Sequence, residues 1–223
     1  RRKVKRKING RNKLKKRSES ADYTGRKYDD YVEFVKNNPT YATTEMDTVY
    51  NHQEGPYIQT FIFENTGFMI GQHKTSEEMS ESLNYFQELL EDEMYKKLFG
   101  LLLTDRGPEF AKPELFEVNT ETGEIRGNIF YCDAQMPSQK PHVENNHEFI
   151  RDIILKKKDM SALTQDKIDL MFSHINSVPR KSLGGKTPYE VFEFFYGNEQ
   201  LEKFNIQKIK EDEVTLQPYL LNL

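Results

Sequence analysis

The sequence predicts an α/β domain in which one mixed sheet is covered by helices on both faces. Three features point there. Short runs rich in β-branched and aromatic residues, separated by turn-forming residues, occupy positions 45–71. A continuous apolar run, Leu98–Thr104, follows; it suits a strand buried on both faces. Stretches with an apolar residue every three or four positions precede and follow that run, as amphipathic helices require.

Taken in order, the first helix is expected over Tyr28–Asn37, where Tyr28, Tyr31, Val32 and Val35 share one face and Pro39 ends the run. Strands are expected at Glu45–Tyr50, Tyr57–Glu64 and Gly67–Gly71. The intervening HQEGP and ENTG are hairpin turns, so these three strands form an antiparallel meander. Met79, Leu83, Phe86, Leu89 and Leu90 predict one helix from Ser76 to about Lys97, with Ser76 as its cap. Leu98–Thr104 is the next strand. Residues 110–130 read as a short helix and a hairpin around Thr122-Gly123, and Ile129–Cys132 as a further strand. Helices follow over Val143–Leu155, Thr164–Asn176 and Pro188–Phe195, the last with Thr187 as cap and Pro188 in its first turn. The domain plan is therefore a basic arm or linker over 1–24, a helical connector over 25–40, a core over 41–200 and a tail over 201–223 that packs on it.

Charge divides the chain. Residues 1–20 hold eleven Lys or Arg and one Glu, +10 in all, leaving −14 on the other 203 residues. A basic arm of this kind binds polyanions by releasing counterions from phosphates, and it serves equally as a solubilising tail. One cysteine, Cys132, excludes an internal disulfide and a zinc site built on a Cys pair. No apolar run nears the roughly 18–20 residues that span a bilayer. The chain opens at Arg1 without Met and reads as a piece of a longer cytoplasmic protein.

Three acids carry the chemistry. Asp47 lies inside the first strand, where an acid is costly to bury unless paired or bound to metal. Asp105 ends the apolar strand, and strand ends are where open α/β sheets place their ligands. Glu144 comes near the start of a helix. All three are hard oxygen donors, suited to Mg²⁺ or Mn²⁺. Each also has a plainer reading: a solvent-facing strand residue for Asp47, an Asx-turn with Gly107 for Asp105, a dipole-favoured helix acid for Glu144. Phe192, Phe194, Phe195 and Tyr196 are expected to be core residues rather than base-stacking ones.

The segments EMDTVY, LLLTDRGPEF, YCDAQMPSQKPHVENNHEFIR and INSVPRKSLGGKTPYEVF resemble bacterial DDE transposases of the insertion-sequence thirty family, relatives of retroviral integrases. The similarity runs from about Gly25 to the end. It implies a ribonuclease-H-like fold with Asp47, Asp105 and Glu144 as the catalytic, metal-binding triad, spaced by 58 and 39 residues. It implies two Mg²⁺ ions per site, with Mn²⁺ as substitute, and DNA strand cleavage and transfer at insertion-sequence ends. Lys140, His147, Arg151, Arg180, Lys181 and Lys186 are the expected DNA contacts. For Arg151, an ion pair with Glu148 is the alternative, and Glu109 is expected to orient a backbone group or a water. The implied partners are transposon-end and target DNA, with a homo-oligomer assembling on it and no membrane. Two positions depart from the family pattern: Pro141 where a Gly is usual, expected to alter local geometry, and Arg106 where an Asn is frequent. The competing functions are a catalytically silent DNA-binding relative and a nuclease that cuts without joining.

Overall fold

The computed structural model describes residues 22–76 and 78–223, without the side chains of 137 and 141–145. The basic arm lies outside the described residues. The elements are α1 (Tyr28–Asn37), β1 (Thr44–Tyr50), β2 (Tyr57–Phe63), β3 (Phe68–Lys74), α2 (Glu81–Leu89), α3 (Asp92–Phe99) and β4 (Leu101–Thr104). They continue with α4 (Glu114–Glu117), β5 (Asn128–Tyr131), α5 (Pro141–Ile153), α6 (Gln165–Asn176), α7 (Pro188–Tyr196) and α8 (Asn198–Lys203). The five strands form one sheet in the order β3-β2-β1-β4-β5. β1, β2 and β3 are the antiparallel meander, and β4 and β5 add in parallel to β1. This is the mixed sheet, antiparallel and parallel, with helices packed on it that the sequence predicts.

Two apolar clusters lie on the sheet. The larger gathers Met46, Phe61, Phe63, Phe86, Phe99, Phe172 and Phe192, with Phe86 and Phe99 stacked at 4.6 Å between ring centroids. The smaller sets Leu101, Leu103, Phe130 and Cys132 against Tyr28, Tyr31, Phe34 and Val35 of α1. Alternate residues of β4 thus serve opposite faces, which is why its sequence is apolar throughout. Cys132 is buried, and burial pushes its thiol up to about 12, so it is an inert packing residue.

Local differences from the sequence expectation have identifiable causes. The single helix expected from Ser76 is two helices, α2 and α3. Leu90 between them leaves helical geometry (φ −107°, ψ 154°) and buries its side chain, and Glu91, also extended, precedes a new helix that starts at Asp92. Both helices thereby turn their apolar faces to the same core. Leu98 and Phe99 end α3 rather than begin a strand, because an unbroken apolar run gives no period by which to divide it. β3 runs on to Lys74, whose ammonium pairs with Glu81 at the start of α2 (2.9 Å).

The open edge of β3 is sealed from α6. Gln165 accepts from the His73 backbone N–H (2.8 Å) and donates to the Gly71 carbonyl (2.8 Å). Asn176, three turns later, does the same for both backbone groups of Met69 (2.9 and 2.7 Å). A β-carbon on Gly71 would collide with the Phe172 ring, so this glycine permits the close approach of α6. At the opposite edge, the Tyr131 N–H bonds to the Arg26 carbonyl (2.8 Å), and the Arg26 guanidinium grips Glu117 with two hydrogen bonds. At the other end of the chain, Leu201, Phe204, Ile206 and Leu221 join the larger cluster.

Candidate active site

β1 and β4 run parallel with Glu45 opposite Leu103. Asp47 lies two residues beyond Glu45 within β1, and Asp105 two residues beyond Leu103, just past the end of β4, so the same register extended by two residues brings their backbones to one level. The Thr104 hydroxyl, donating to the Met46 carbonyl (3.0 Å), holds the strands together up to that point. Neighbouring strands lie about 4.8 Å apart, so two aspartates at one level share a small volume. Asp47 is half-buried. Its Oδ1 accepts from the Thr48 N–H (2.7 Å) and its Oδ2 from the Lys140 ammonium (3.1 Å). Asp105 is exposed and forms the Asx-turn, its Oδ1 accepting from the Gly107 N–H (2.8 Å). That turn uses one carboxylate oxygen and aims the group outward past the strand end, so it is compatible with a ligand role.

Lys140 is buried, with its ammonium also 3.3 Å from the Met46 carbonyl. Burial pulls its pKa down, but the charges of Asp47 and Asp105 outweigh that and hold it above the ordinary lysine value. Glu109 senses the same two acids. Burial and the Asp105 and Asp47 charges push its carboxyl up, against opposing hydrogen bonds. A β-carbon on Gly107 would meet Glu109 Oε2 at 2.6 Å and Asp105 Oδ1 at 3.0 Å, so both carboxylates crowd the same face of this glycine. His147 approaches from the other flank: its Nε2 lies 3.3 Å from the hydroxyl of Thr60, the register partner of Asp47. Burial lowers the His147 pKa despite Asp47, leaving a neutral ring.

These groups are organised by α5, which packs against β1. The helix begins at Pro141, two residues earlier than the apolar pattern predicts. Pro141 therefore occupies the first helical position, where its missing N–H costs nothing and its fixed φ suits the helix; the expected disturbance is a favourable helix start. Glu144 stands in the first turn, three residues before His147; its side chain is outside those described. One turn beyond His147, the Arg151 guanidinium binds Asn51 Oδ1 (2.7 Å) and the Tyr50 carbonyl (3.2 Å). Arg106 pairs with Asp133 (3.1 Å), tying the loop after β4 to the exit of β5.

The remaining expected contacts separate into two kinds. Arg180 is engaged within the protein: it donates to Asn146 Oδ1 (3.2 Å) and the Ile175 carbonyl (3.1 Å) and lies over the Phe149 ring (3.9 Å). Burial lowers its pKa to about 10. Lys181 and Lys186 are exposed on the loop that carries Gly184 and Gly185. The four aromatics of α7 also divide. Phe192 is buried, but Phe194 and Phe195 face solvent, because consecutive residues of a one-sided helix cannot all reach the core. Sequence reasoning missed Thr60 and Asn51, which carry no motif and gain their roles only through strand register and the path of α5.

Asp47, Asp105 and Glu109 offer carboxylate oxygens, and a lysine ammonium already sits on Asp47 as a stand-in cation. That chemistry fits a hard divalent ion. Among the described residues no three His, Cys, Asp or Glu side chains are gathered as a metal cluster. No helix among those residues is long and apolar enough to cross a membrane.

No family model matches the chain. It is 37% identical over 92 residues to a transposase of insertion sequence element IS30A from Escherichia coli, covering 41% of this chain and 23% of that protein. It is 33% identical over 97 residues to the transposase of IS4351 from Bacteroides fragilis, covering 44% of this chain and 28% of that one. The matched stretch thus spans about a quarter of these relatives' length. Among solved structures, the HTLV-2 integrase catalytic core domain in complex with magnesium is similar with a TM-score of 0.44 at 18% identity, covering 67% of this chain and 95% of that one.

Proposed function

We propose that this sequence relative of insertion-sequence transposases is a DDE-type polynucleotidyl transferase core, which cleaves DNA at insertion-sequence ends and joins it to a target. The observation that carries the reading is the levelling of Asp47 with Asp105 across a parallel strand pair, with a cation already drawn to Asp47. Asp47, Asp105 and Glu144 would hold two Mg²⁺ ions, or Mn²⁺ in their place. Bound there, the ions activate the attacking water or 3′-hydroxyl and stabilise the leaving oxygen. The chain's own residues do the rest. Asp47 is presented from within β1, Asp105 just past the end of β4, and Glu144 at the start of a helix anchored through Lys140, His147 and Arg151. Lys140 and His147 face the scissile phosphate. Lys181 and Lys186 bind the DNA backbone from their loop, which Arg180 braces against α5. Catalytic cores of this protein assemble as a homo-oligomer on the DNA, and the core extends over residues 41–200.

The test is an assay of the full-length protein with labelled DNA bearing the insertion-sequence end, in Mg²⁺ or Mn²⁺. Cutting and joining are expected from the wild type, and Asp47→Asn, Asp105→Asn and Glu144→Gln should each reduce both to background. Cutting without joining would make the protein a nuclease. DNA binding with neither reaction would make it a silent relative.

A further inference from the structure

Lys140 is more than a phosphate contact. We propose that its ammonium is the built-in counter-cation of Asp47, holding that carboxylate in the metal-free protein and leaving it when a divalent ion binds. The inference rests on the reading of Asp47 as a metal ligand and extends it to the order of events at the site.

Both oxygens of Asp47 are engaged without metal. Oδ1 takes the Thr48 N–H, and Oδ2 takes the Lys140 ammonium at 3.1 Å. A magnesium ion binds oxygen at about 2.0–2.1 Å, so it needs the lone pairs of Oδ2 that now face the ammonium. Two cations on one carboxylate oxygen repel strongly in a site shielded from water, and the Lys140 side chain is only 7% exposed. One must therefore yield. Lys140 is placed to move: it is the residue immediately before α5, with non-helical backbone (φ −128°, ψ 63°), so its side chain can swing without unwinding the helix. While in place, its second contact to the Met46 carbonyl (3.3 Å) keeps it close to β1. Once displaced, the ammonium stands beside the metal site as a free donor for a phosphate oxygen. Metal loading would thus precede and prepare the grip on DNA.

The consequence is measurable without catalysis. Lys140→Met keeps an unbranched side chain, one atom shorter, and removes the charge, so Mg²⁺ binding to the DNA-free protein, followed by calorimetry, should tighten on the order of tenfold. In the wild type, the side-chain NMR signal of Lys140, labelled at Cε and Nζ, should shift as Mg²⁺ saturates the site. Unchanged or weaker Mg²⁺ affinity in Lys140→Met overturns the proposal. So does a Lys140 signal that stays fixed through saturation, a result that needs no variant to fold. Asp47→Asn separates the two levels of the reading. If it binds Mg²⁺ as well as wild type, or folded wild type binds none, the metal site itself fails and Lys140 with it. If Asp47→Asn abolishes binding while Lys140→Met leaves it unchanged, the metal site stands and only the counter-cation role is lost.

Discussion

Two regions of this sheet handle exposed polar groups in opposite ways. At the β3 edge, the outward N–H groups of Met69 and His73 and the carbonyls of Met69 and Gly71 are taken by two amide side chains. A bare strand edge is a template for pairing with another chain, and α6 closes it. Where β1 meets β4, Asp47 and Asp105 act on one ammonium, that of Lys140, while the same two acids and burial push the Glu109 carboxyl up and burial lowers the neighbouring His147. Negative charge there exceeds what the protein neutralises. Sealing favours stability and discourages association. Leaving charge unmatched costs some stability and favours an external cation. The same sheet thus separates a sealed edge from a central strand pair that keeps unmatched charge, and substitutions at the two places should separate in the same way.

The sharpest contrast is Asn176→Leu against Asp105→Asn. Asn176 is fully buried, and its loss strands two backbone groups of β3, each worth about 1–3 kcal/mol, so denaturant unfolding should show a loss of about 2–4 kcal/mol. Asp105 is exposed, and Asp105→Asn should melt near the wild-type temperature while abolishing joining. A stable Asn176→Leu would break the contrast. Next in size, Gly71→Ala forces a methyl against Phe172 and should lower stability by about 1–3 kcal/mol. Gln165→Ala is expected to cost about 1 kcal/mol, because that amide is only part-buried. Its clearer signature is self-association through the reopened edge, read by light scattering. A strictly monomeric Gln165→Ala at high concentration would show that Asn176 alone protects β3.

A smaller effect depends on pH. Burial holds the imidazole of His174 below its ordinary value, and its Nδ1 accepts from the Thr215 N–H (3.1 Å), which only the neutral ring can do. The unfolded chain takes up that proton near pH 6.5 and the folded one does not. Its contribution to stability is therefore complete above about pH 6.5 and is lost as pH falls through the lower folded value. His73 and His147, depressed by the same cause, add to the slope. Melting temperatures between pH 7.5 and 5 should fall, and His174→Gln should flatten the curve. A curve as steep as that of the wild type would remove His174 from the account. Smallest in stability terms is Lys181→Ala with Lys186→Ala. Melting should not move, while the salt dependence of DNA binding should lose roughly two units of slope.

Much of the fold was legible in the chain. The helix over Tyr28–Asn37 is found at the residues its period marks, with Tyr28, Tyr31 and Val35 packed on the sheet as expected, but Phe34 joins them and Val32 is exposed. The meander could be read because turn residues bracket each strand. Asp47 and Asp105 could be nominated from their places in and at the end of apolar strands. Less was legible where chemistry gave no period. The boundary between α3 and β4 falls inside an unbroken apolar run, and the break at Leu90 has neither Gly nor Pro to announce it.

What the sequence determined by itself is the set of elements, the single mixed sheet and the acids worth testing, since periodicity and turn chemistry are local. Only the tertiary structure decided which polar side chain meets which. It put Gln165 and Asn176 on a strand edge 92 and 107 residues away, turned Phe194 and Phe195 to solvent, and placed the Lys140 ammonium on Asp47. Such partners are set by strand register and by how closely a helix can approach. Both depend on the packing of the whole core rather than on any short stretch of chain.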